Sequence, residues 1–475
     1  MVMNRFKSYI NGRSVGILGL GVSNLPIAEL LCDMGEELVI RDKKTPEELG
    51  ERAVALAGRG VKFISGSDCF DGITEDILFR SPGLRPDTKG LADAVRRGAS
   101  LTSDIELLLE FSSSESFAIT GSDGKTTSTT LTGLFLSENA KAEKKQVFVG
   151  GNIGVPLFTK YPEMTEETRL VLELSSFQLM TVTQAPENIA ITNVTPNHLD
   201  WHGEMEEYIE AKKRIIGKET RRVVVNFENE ITRKIGIDAA REGKQAIFFS
   251  SKRGAGEILS NVPEGCLAVF EREGSIFISN GTDESALLSV ASIKVPGRHN
   301  VENFMTAIAL TYGAVDNRVY EAVAADFSGV EHRLEWVRRL DGVDYYNSSI
   351  DSSPTRTAAA LSALEGRDMV VICGGYDKKI PYEPLAEALL KYARGVVLTG
   401  ATRDKILSAV ESAREQSDRT IEVAVEPDFK AAVLRAKAMA NEGGCVLLSP
   451  ASASFDAFKN FAERGNTFKK IVLEL

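Results

Sequence analysis

Cysteine is scarce in this chain, with five residues among 475. Cys32, Cys69, Cys266, Cys373 and Cys445 form neither a Cys-x-x-Cys pair nor the even set that a disulfide framework uses. Several of them lie in apolar, strand-like segments. We therefore expect reduced thiols, most of them buried.

Long apolar runs and an excess of positive charge are also missing. No uninterrupted apolar stretch approaches the ~20 residues of a membrane span, and Asn4, Arg5 and Lys7 interrupt the N-terminus. The formal net charge of -11 argues against a general binder of nucleic acid or of anionic membranes. Fixed-period repeats and low-complexity tracts are absent as well. We expect a cytoplasmic, monomeric protein.

The most specific motif is a glycine turn between an apolar run and a polar helix start, in Phe117-Ala-Ile-Thr-Gly-Ser-Asp-Gly-Lys-Thr-Thr127. Its glycines let backbone amides point into one concavity, Lys125 reaches outer phosphates, and the Thr126 hydroxyl can bind Mg²⁺. Ile119 replaces the first glycine of a full Walker sequence, so the loop is a shortened variant. The alternative is a chance strand, turn and helix with one lysine. The predicted nucleotide-binding residues here are Gly121, Ser122, Asp123, Gly124, Lys125, Thr126 and Thr127.

The chain opens with a second glycine turn. Within Ser14–Asn24, an apolar strand runs into the turn Gly19-x-Gly21. Asp42 follows about twenty residues later, where a dinucleotide-binding fold places its ribose-binding acid. Asn24 takes the place of the third glycine. The fingerprint for a nicotinamide cofactor is incomplete, and a bound diphosphate fits better.

Strands alternate with helices along the chain, which predicts parallel sheets and an α/β fold. Residues 170–174, 188–194, 222–226, 369–373, 395–399 and 445–449 are predicted strands, residues 204–217 a helix, and residues 266–281 a hairpin. The polar run Ser112–Ser116 predicts a linker, and a third block begins near Val330. We predict three domains: a Rossmann-like domain (1–114), a central P-loop ATPase-like domain (115–329) and a C-terminal Rossmann-like domain (330–475).

Three polar positions are candidates for chemistry. Glu173 ends an apolar strand, where it can face Mg²⁺ held by Thr126 or be simply solvated. His198 lies in the loop Thr195–His202, which holds two of the four histidines, and it can orient a ligand, bind metal or be structural. From spacing alone, Lys212 reads as a surface lysine on a helix.

Taken together, these motifs identify a family: the chain resembles the Mur ligases, ATP-dependent enzymes that form amide bonds in peptidoglycan synthesis, and among them the branch that adds D-glutamate. The resemblance spans nearly the whole chain. It rests on Gly19-Leu-Gly21, Ser81-Pro-Gly83, the Gly-x-x-Gly-Lys-Thr loop, Gly150-Gly-Asn-Ile-Gly154, Glu173-Leu-Ser-Ser-Phe-Gln178, Asn197-His198, Ala211-Lys212, His332-Arg333, Gly374-Gly375, Leu448-Ser-Pro-Ala-Ser-Ala-Ser454, Lys459-Asn-Phe461 and Arg464-Gly-Asn466.

The resemblance implies a first domain that binds the UDP part of UDP-N-acetylmuramoyl-L-alanine. The residues implied for UDP are Val22, Ser23, Asp42, Lys43, Lys44 and Gly83. Those implied for the muramoyl-alanine end are Asn152, Ser175, Gln178 and His198.

The resemblance also implies ATP and two Mg²⁺ in the central domain. Asn300 and Asn303 would face the adenine, and Arg333 would approach the ATP phosphates. The implied catalytic residues are Lys125, Glu173, His198, Lys212 and Arg333. The implied metal ligands are Thr126, Glu173, His198 and Lys212, the last as the carbamylated lysine of this family. The implied D-glutamate pocket is Ser352, Lys378, Ser454 and Phe461.

The implied reaction phosphorylates the alanyl carboxylate from ATP, and the D-glutamate amine then attacks the acyl phosphate. Two positions depart from the family. Ser348 stands where an aspartate near the ATP ribose is usual, and Ile350 where lysine is frequent. Asp351 is the nearest acid that can substitute. A sibling ligase with another amino acid, or a nucleotide-binding homologue that has lost ligation, remains an alternative.

Overall fold

Three sheets form the framework of the described part of the chain. The computed structural model describes residues 2–143, 145–154, 156–378, 380–415, 417 and 419–475. These divide into two compact units, one of residues up to Val290 with Val301–Val323, the other of Ala291–Asn300 with Ala324–Leu475. The α/β fold is as predicted, and the three domain boundaries stay a prediction.

The first sheet is parallel, with strand order β3-β2-β1-β4-β5. Its elements are α1 (Val2–Ile10), β1 (Val15–Leu18), α2 (Leu25–Asp33), β2 (Leu38–Asp42), α3 (Pro46–Leu49), α4 (Glu51–Gly58), β3 (Lys62–Ser65), β4 (Ile77–Arg80), α5 (Lys89–Arg96), β5 (Ser100–Thr102) and α6 (Asp104–Phe111). This is the order of a Rossmann-like sheet, so ligands are expected where β1 and β4 end side by side.

The second sheet has the order β14-β13-β12-β11-β10-β9-β6-β8-β7. Its elements are β6 (Glu115–Thr120), α7 (Lys125–Glu143), β7 (Val147–Gly151), β8 (Arg169–Glu173), α8 (Ser176–Leu179), β9 (Asn188–Ile191), α9 (Leu199–His202), α10 (Met205–Lys213), β10 (Arg222–Asn226), α11 (Glu230–Arg241), β11 (Gln245–Ser250), α12 (Ala255–Leu259), β12 (Leu267–Arg272), β13 (Ser275–Ser279), β14 (Glu284–Ser289), α13 (Arg298–Thr311) and α14 (Asn317–Asp326), with 3₁₀ helices at Leu157–Glu163 and Val290–Ser292. Neighbouring strands pair in parallel along the part of the sheet with the order β12-β11-β10-β9-β6-β8-β7. The predicted hairpin is β12 and β13, and β14 extends it.

Some predicted boundaries in this region are wrong. The linker is shorter than Ser112–Ser116, because β6 already begins at Glu115. The predicted strand at residues 188–194 ends at Ile191, because the following residues turn over the phosphate loop: Asn193 O accepts a hydrogen bond from Ser122 N over 2.9 Å. The predicted helix at 204–217 ends at Lys213.

The third sheet has the order β15-β16-β20-β17-β18-β19, and all its pairs are parallel except β15 with β16. Its elements are β15 (Glu335–Leu340), β16 (Val343–Asn347), α15 (Pro354–Ala363), β17 (Met369–Gly374), α16 (Glu383–Tyr392), β18 (Gly395–Thr399), α17 (Arg403–Arg414), β19 (Glu422–Val425), α18 (Phe429–Met439), β20 (Cys445–Leu448) and α19 (Phe461–Glu474). The predicted strands here are present, and β15, β16 and β19 are additional.

Cysteine burial agrees with the sequence-based expectation. All five cysteines are free thiols; Cys32 is half-buried and the other four are buried. Among the described helices, none is both long and apolar enough to cross a membrane.

Candidate active site

The phosphate loop joins β6 to α7, and two of its glycines are required by space. Gly121 has φ 150° and Gly124 φ 78°, a region that side chains rarely adopt. A Cβ at Gly121 would clash with Thr192 Oγ1, and one at Gly124 would clash with Asn303 Oδ1. The backbone can therefore come close to a ligand at the start of α7, where the helix dipole favours phosphate.

Residues after β9 hold the loop in place. Asp123 N donates to Asn193 Oδ1 over 3.0 Å. Ser122 Oγ donates to Thr195 O over 2.9 Å and lies 3.0 Å from the Tyr208 hydroxyl. Because the bonded residues are seventy or more positions apart in the sequence, no local pattern could reveal these anchors.

Lys125 bends over its own loop. Its Nζ donates to Gly121 O over 3.0 Å and to Ser122 O over 2.9 Å. These acceptors are main-chain carbonyls of the phosphate loop, and contact of the amine with phosphate stays a prediction.

Lys212 is not the surface residue that spacing suggested. It is 1% exposed, and Nζ donates to Gly121 O over 2.7 Å and lies 4.5 Å from the centroid of the Tyr208 ring. Burial, helped by the positive charge of Lys125, lowers the pKa of Lys212 to about 6. The shift favours the neutral amine beside the phosphate loop.

Glu173 has an oxygen suited to a cation. It is 2% exposed, Oε1 accepts from Asn152 Nδ2 over 2.7 Å, and Oε2 has no hydrogen-bond partner among the described residues. β8 pairs with β6 in a register that sets Glu173 opposite Ile119, just before the phosphate loop. A buried carboxylate oxygen left unpaired is costly, and Mg²⁺ prefers such oxygens. The site therefore fits Mg²⁺.

Other metal ligands are not evident from geometry. In the described ranges, no group of three histidine, cysteine, aspartate or glutamate side chains converges on one point. His198 has φ 55° and packs edge-to-face on Phe177 at 4.9 Å. Its metal role and that of Thr126 stay predictions.

Ser175 and Gln178 cap each other at the start of α8. Ser175 Oγ accepts from Gln178 N over 3.2 Å, and Ser175 N donates to Gln178 Oε1 over 3.0 Å. This is a capping box, which the spacing Ser-x-x-Gln signals but which our sequence reasoning missed. Their contact with substrate stays a prediction.

The turn after β1 is built differently from a three-glycine fingerprint. Asn24 is buried, and its Nδ2 donates to Gly19 O over 2.9 Å and to Phe79 O over 3.3 Å. Its side chain fastens the turn to β4. Both Asp42 carboxylate oxygens accept main-chain amides, from Leu20 over 2.7 Å and from Lys44 over 3.0 Å.

The implied UDP contacts surround this turn. Val22 is 79% exposed, Lys43, Lys44 and Gly83 are exposed, and Ser23 is half-buried. These residues are accessible to a ligand, and their roles stay predictions.

The unit of the third sheet brings part of the implied D-glutamate pocket together. Lys378 Nζ lies 3.4 Å from Ser352 Oγ and donates to Ser352 O over 3.3 Å. Ser454 is buried, and its carbonyl accepts from Phe458 N over 2.9 Å. The main-chain oxygen of Phe461 accepts from Ser349 Oγ over 2.7 Å.

Arg464 is a residue of this region that our sequence reasoning assigned no role. It is buried and donates to Ser349 O over 2.9 Å, Ser452 O over 3.1 Å and Ala453 O over 3.0 Å. Burial lowers its pKa to about 10. Arg464 thus ties the loop after β16 to the loop after β20.

Ser348 and Asp351 are neighbours in space as well as in sequence. Ser348 Oγ accepts from Leu334 N over 3.1 Å, and Ser348 O accepts from Asp351 N over 3.0 Å. Asp351 Oδ2 accepts from Ser449 Oγ over 2.8 Å. Burial raises the pKa of Asp351 to about 6, partly offset by hydrogen bonds and by Arg333. The Asp351 carboxyl group therefore lies close to Ser348, the position at which the sequence departs from the family pattern.

The implied adenine contacts have other partners in this structure. Asn303 Oδ1 accepts from Ser128 Oγ over 3.3 Å. Asn300 Nδ2 donates to Pro296 O over 2.6 Å. Contact with adenine stays a prediction for both.

Two known domain families match successive parts of the chain. The Mur ligase middle domain matches residues 119–311, and the Mur ligase glutamate ligase domain matches residues 332–452. The chain belongs to the Mur ligase family.

Relatives match this Mur ligase over its full length. The UDP-N-acetylmuramoylalanine--D-glutamate ligase of Ruminiclostridium cellulolyticum is 41% identical, covering 100% of this chain and 99% of that protein. The protein of the same name from Clostridium novyi is also 41% identical, covering 99% of each.

Solved Mur ligase structures share the fold at low identity. The UDP-N-acetylmuramate-alanine ligase MurC of Thermotoga maritima has a TM-score of 0.55 at 19% identity, over 97% of this chain and 99% of that one. MurF of Acinetobacter baumannii has a TM-score of 0.55 at 17% identity, over 84% and 90%. These likenesses support the fold only.

Proposed function

We propose that this protein is an ATP-dependent ligase that adds D-glutamate to UDP-N-acetylmuramoyl-L-alanine through an acyl phosphate, in cytoplasmic synthesis of peptidoglycan precursors. Full-length relatives of that name support the reaction class and the acceptor. The structural observation that carries the proposal is the buried Lys212 amine, hydrogen-bonded to the phosphate loop at Gly121.

The chemistry requires activation of a carboxylate, which is a poor electrophile. An alanyl carboxylate oxygen attacks the γ-phosphorus of ATP, the bond to the β-γ bridging oxygen breaks, and ADP leaves. The resulting acyl phosphate carries a good leaving group. The unprotonated amine of D-glutamate attacks its carbonyl carbon, phosphate leaves, and the new amide loses a proton.

The phosphate loop and Lys125 would bind and orient the ATP phosphates, because both bring positive charge to the end of β6. Glu173 would hold Mg²⁺ through Oε2, together with the Thr126 hydroxyl. When bound, Mg²⁺ offsets the charge that develops during phosphoryl transfer. Asn152 would keep the Glu173 carboxylate oriented through its 2.7 Å hydrogen bond.

Lys212 would act as a carbamate. A neutral amine attacks CO₂, forms an N–C bond and releases one proton, which leaves a group with one negative charge. The lowered pKa of Lys212 favours the required neutral amine. A carbamate supplies anionic oxygen next to the phosphate loop, which would help to hold a second Mg²⁺.

D-Glutamate would bind in the unit of the third sheet. Lys378 can meet a carboxylate of the amino acid, since its amine already reaches the Ser352 hydroxyl. Arg464 would not touch the substrate; it would fix the loops that carry Ser454 and Ser352.

The test measures phosphate release from ATP with UDP-N-acetylmuramoyl-L-alanine and one amino acid, D-glutamate, L-glutamate, L-alanine or a diamino acid, with products identified by mass spectrometry. Release and amide product with D-glutamate alone are expected. Turnover with another amino acid in place of D-glutamate would indicate a sibling ligase that uses that amino acid. No turnover at saturating ATP would overturn the ligase proposal.

A further inference from the structure

Arg85, in the loop after β4, contacts α9 and α10 of the second-sheet region, called the central region below, at several points. Its Nη2 lies 2.9 Å from Glu207 Oε1 and its Nη1 3.2 Å from Glu207 Oε2. Nη1 also donates to the main-chain oxygen of Trp201. Asp87 completes the set, accepting from Arg85 Nε and Nη2 over 2.9 Å each. The planar guanidinium thus joins two carboxylates and a carbonyl in one geometry.

Trp201 adds a second contact between the same two segments. The Arg85 guanidinium lies 4.9 Å from the centroid of its ring, within the range of a cation–π interaction. Its indole Nε1 donates to Gly83 O over 3.3 Å. Gly83 is one of the implied UDP contacts, so the tryptophan bonds the backbone of the predicted UDP site directly.

The partners of Arg85 belong to elements that carry catalytic candidates. Glu207 lies on α10, five residues before Lys212, and Trp201 lies three residues after His198. Glu207 therefore shares a helix with Lys212, and Trp201 N donates to His198 O over 3.1 Å, so each partner is linked to a residue of the proposed phosphoryl-transfer site. A change in the position of Arg85 has to move both or break these bonds.

Arg80, at the end of β4, makes a parallel connection. It is buried, and Nη2 donates to Phe177 O over 2.7 Å and to Thr181 Oγ1 over 3.2 Å. Phe177 lies between Ser175 and Gln178, which are implied contacts for the muramoyl-alanine end. The end of β4 and the loop after it are thus bonded to both segments that are implied to face the substrate, α8 and the region from Trp201 to α10.

We propose that Arg85 is a positioning residue for ligation, which couples the predicted UDP site after β4 to the placement of α10 and of the loop Thr195–His202. The inference rests on the proposed function, because it assumes one substrate that reaches from the first sheet to the phosphate loop. Arg85 does not touch the reacting atoms. It sets where Lys212 and His198 lie when the uridine end of the substrate is held near Gly83.

The test compares Arg85→Gln, Glu207→Gln and the double variant with Arg52→Gln. Arg52 pairs with Glu29 entirely within the first sheet region, which makes it a matched control. Affinity for UDP alone is measured by titration, and kcat and KM for UDP-N-acetylmuramoyl-L-alanine by phosphate release.

Arg85→Gln is expected to leave the Kd for UDP within about twofold and to lower kcat by about tenfold or more, as positioning effects do. The double variant is expected to be no worse than Arg85→Gln, because Arg85→Gln by itself already breaks the contact with Glu207. A kcat that matches that of Arg52→Gln would overturn the proposal. A parallel loss of UDP affinity with unchanged kcat would also overturn it.

A second readout separates this proposal from the proposed function. Hydrogen exchange of residues 199–213 is measured with and without UDP, and needs no turnover. Slower exchange with UDP in the wild-type protein, lost in Arg85→Gln, is expected even if no amino acid is ligated. Equal exchange with and without UDP in the wild type would overturn the coupling and leave the ligase proposal standing.

Discussion

The Lys212 amine and the Gly121 carbonyl are joined by a hydrogen bond of 2.7 Å, which holds a buried lysine on the loop expected to bind ATP. A lysine in the core is costly as a cation. Its presence against the phosphate loop is better explained by chemistry than by stability, and this sets the first prediction.

Lys212→Met is expected to lower kcat by about 100-fold or more, because the variant removes the group that would bring anionic oxygen to the site. Methionine is unbranched and somewhat shorter than lysine, and it removes the buried amine, so the thermal unfolding midpoint should not fall. Lys213→Met, on the neighbouring exposed lysine, is the control. Equal activity of both variants would contradict the role of Lys212.

Glu173→Gln tests the cation site. The amide oxygen can still accept the hydrogen bond from Asn152, but the side chain no longer carries charge for Mg²⁺. The Mg²⁺ concentration for half-maximal phosphate release is expected to rise by about tenfold. Glu115→Gln, on β6, should leave it unchanged, and an unchanged requirement in Glu173→Gln would show that another group binds the metal.

Ser348 can be tested through its contact with Asp351. Ser348→Asp alone would place a second carboxylate against a buried one, so we expect reduced thermal stability. Ser348→Asp with Asp351→Ser moves the acid without adding charge, and its KM for ATP should fall several-fold if Ser348 weakens nucleotide binding. An unchanged KM for ATP in this double variant would sink that hypothesis.

Asp104 provides a pH prediction outside the site. It is 2% exposed, and burial raises its pKa from the ordinary 3.8 to about 6. Between these values the folded chain binds more protons than the unfolded chain, so this group's contribution to stability is present below pH 4 and is lost as pH rises through 6.

Asp104→Asn removes the ionisable group, and with it the loss of stability that accompanies ionisation of Asp104 as the pH rises. At pH 8 the variant is expected to have a higher thermal midpoint than the wild type, and its free energy of unfolding is expected to be greater by at most about 3 kcal/mol. Near pH 4 the two midpoints are expected to match. Asp238→Asn, on the exposed face of α11, should show no such pH-dependent difference. A constant difference at both pH values would contradict the assignment.

Thiol labelling tests the cysteine burial. Desolvation raises the pKa values of the four buried thiols, and Cys32 alone is half-buried. We expect at most one rapidly labelled thiol in the native protein and all five after denaturation, counted by mass spectrometry. Rapid labelling of two or more would show that a buried segment opens.

Strands with strong local signals were predictable. Arg222–Asn226 and Gly395–Thr399 have the predicted bounds, because each is a short β-branched run with turn residues beside it. Glu284–Ser289 and Glu422–Val425 escaped prediction because much of each strand is exposed and its sequence mixes polar and apolar residues. Their pairing with neighbours, more than propensity, makes them strands.

The candidate site was only partly predictable. The glycine loop predicts its own position, because positive φ values and close contacts demand glycine. Lys212 was identified only through family resemblance, since a charged residue on a helix normally indicates solvent. The bond of Arg85 to Glu207 joins residues 122 apart, and no spacing rule reaches that far.

Arg80 has a thermodynamic consequence for movement between the first two sheets. Its guanidinium is bonded to carbonyls and one hydroxyl, its Nε has no partner among the described residues, and burial lowers its pKa to about 10. Separating the two regions would return this cation to water, and its hydration would offset part of the packing lost. The contact between these two regions is therefore easier to open than its burial suggests.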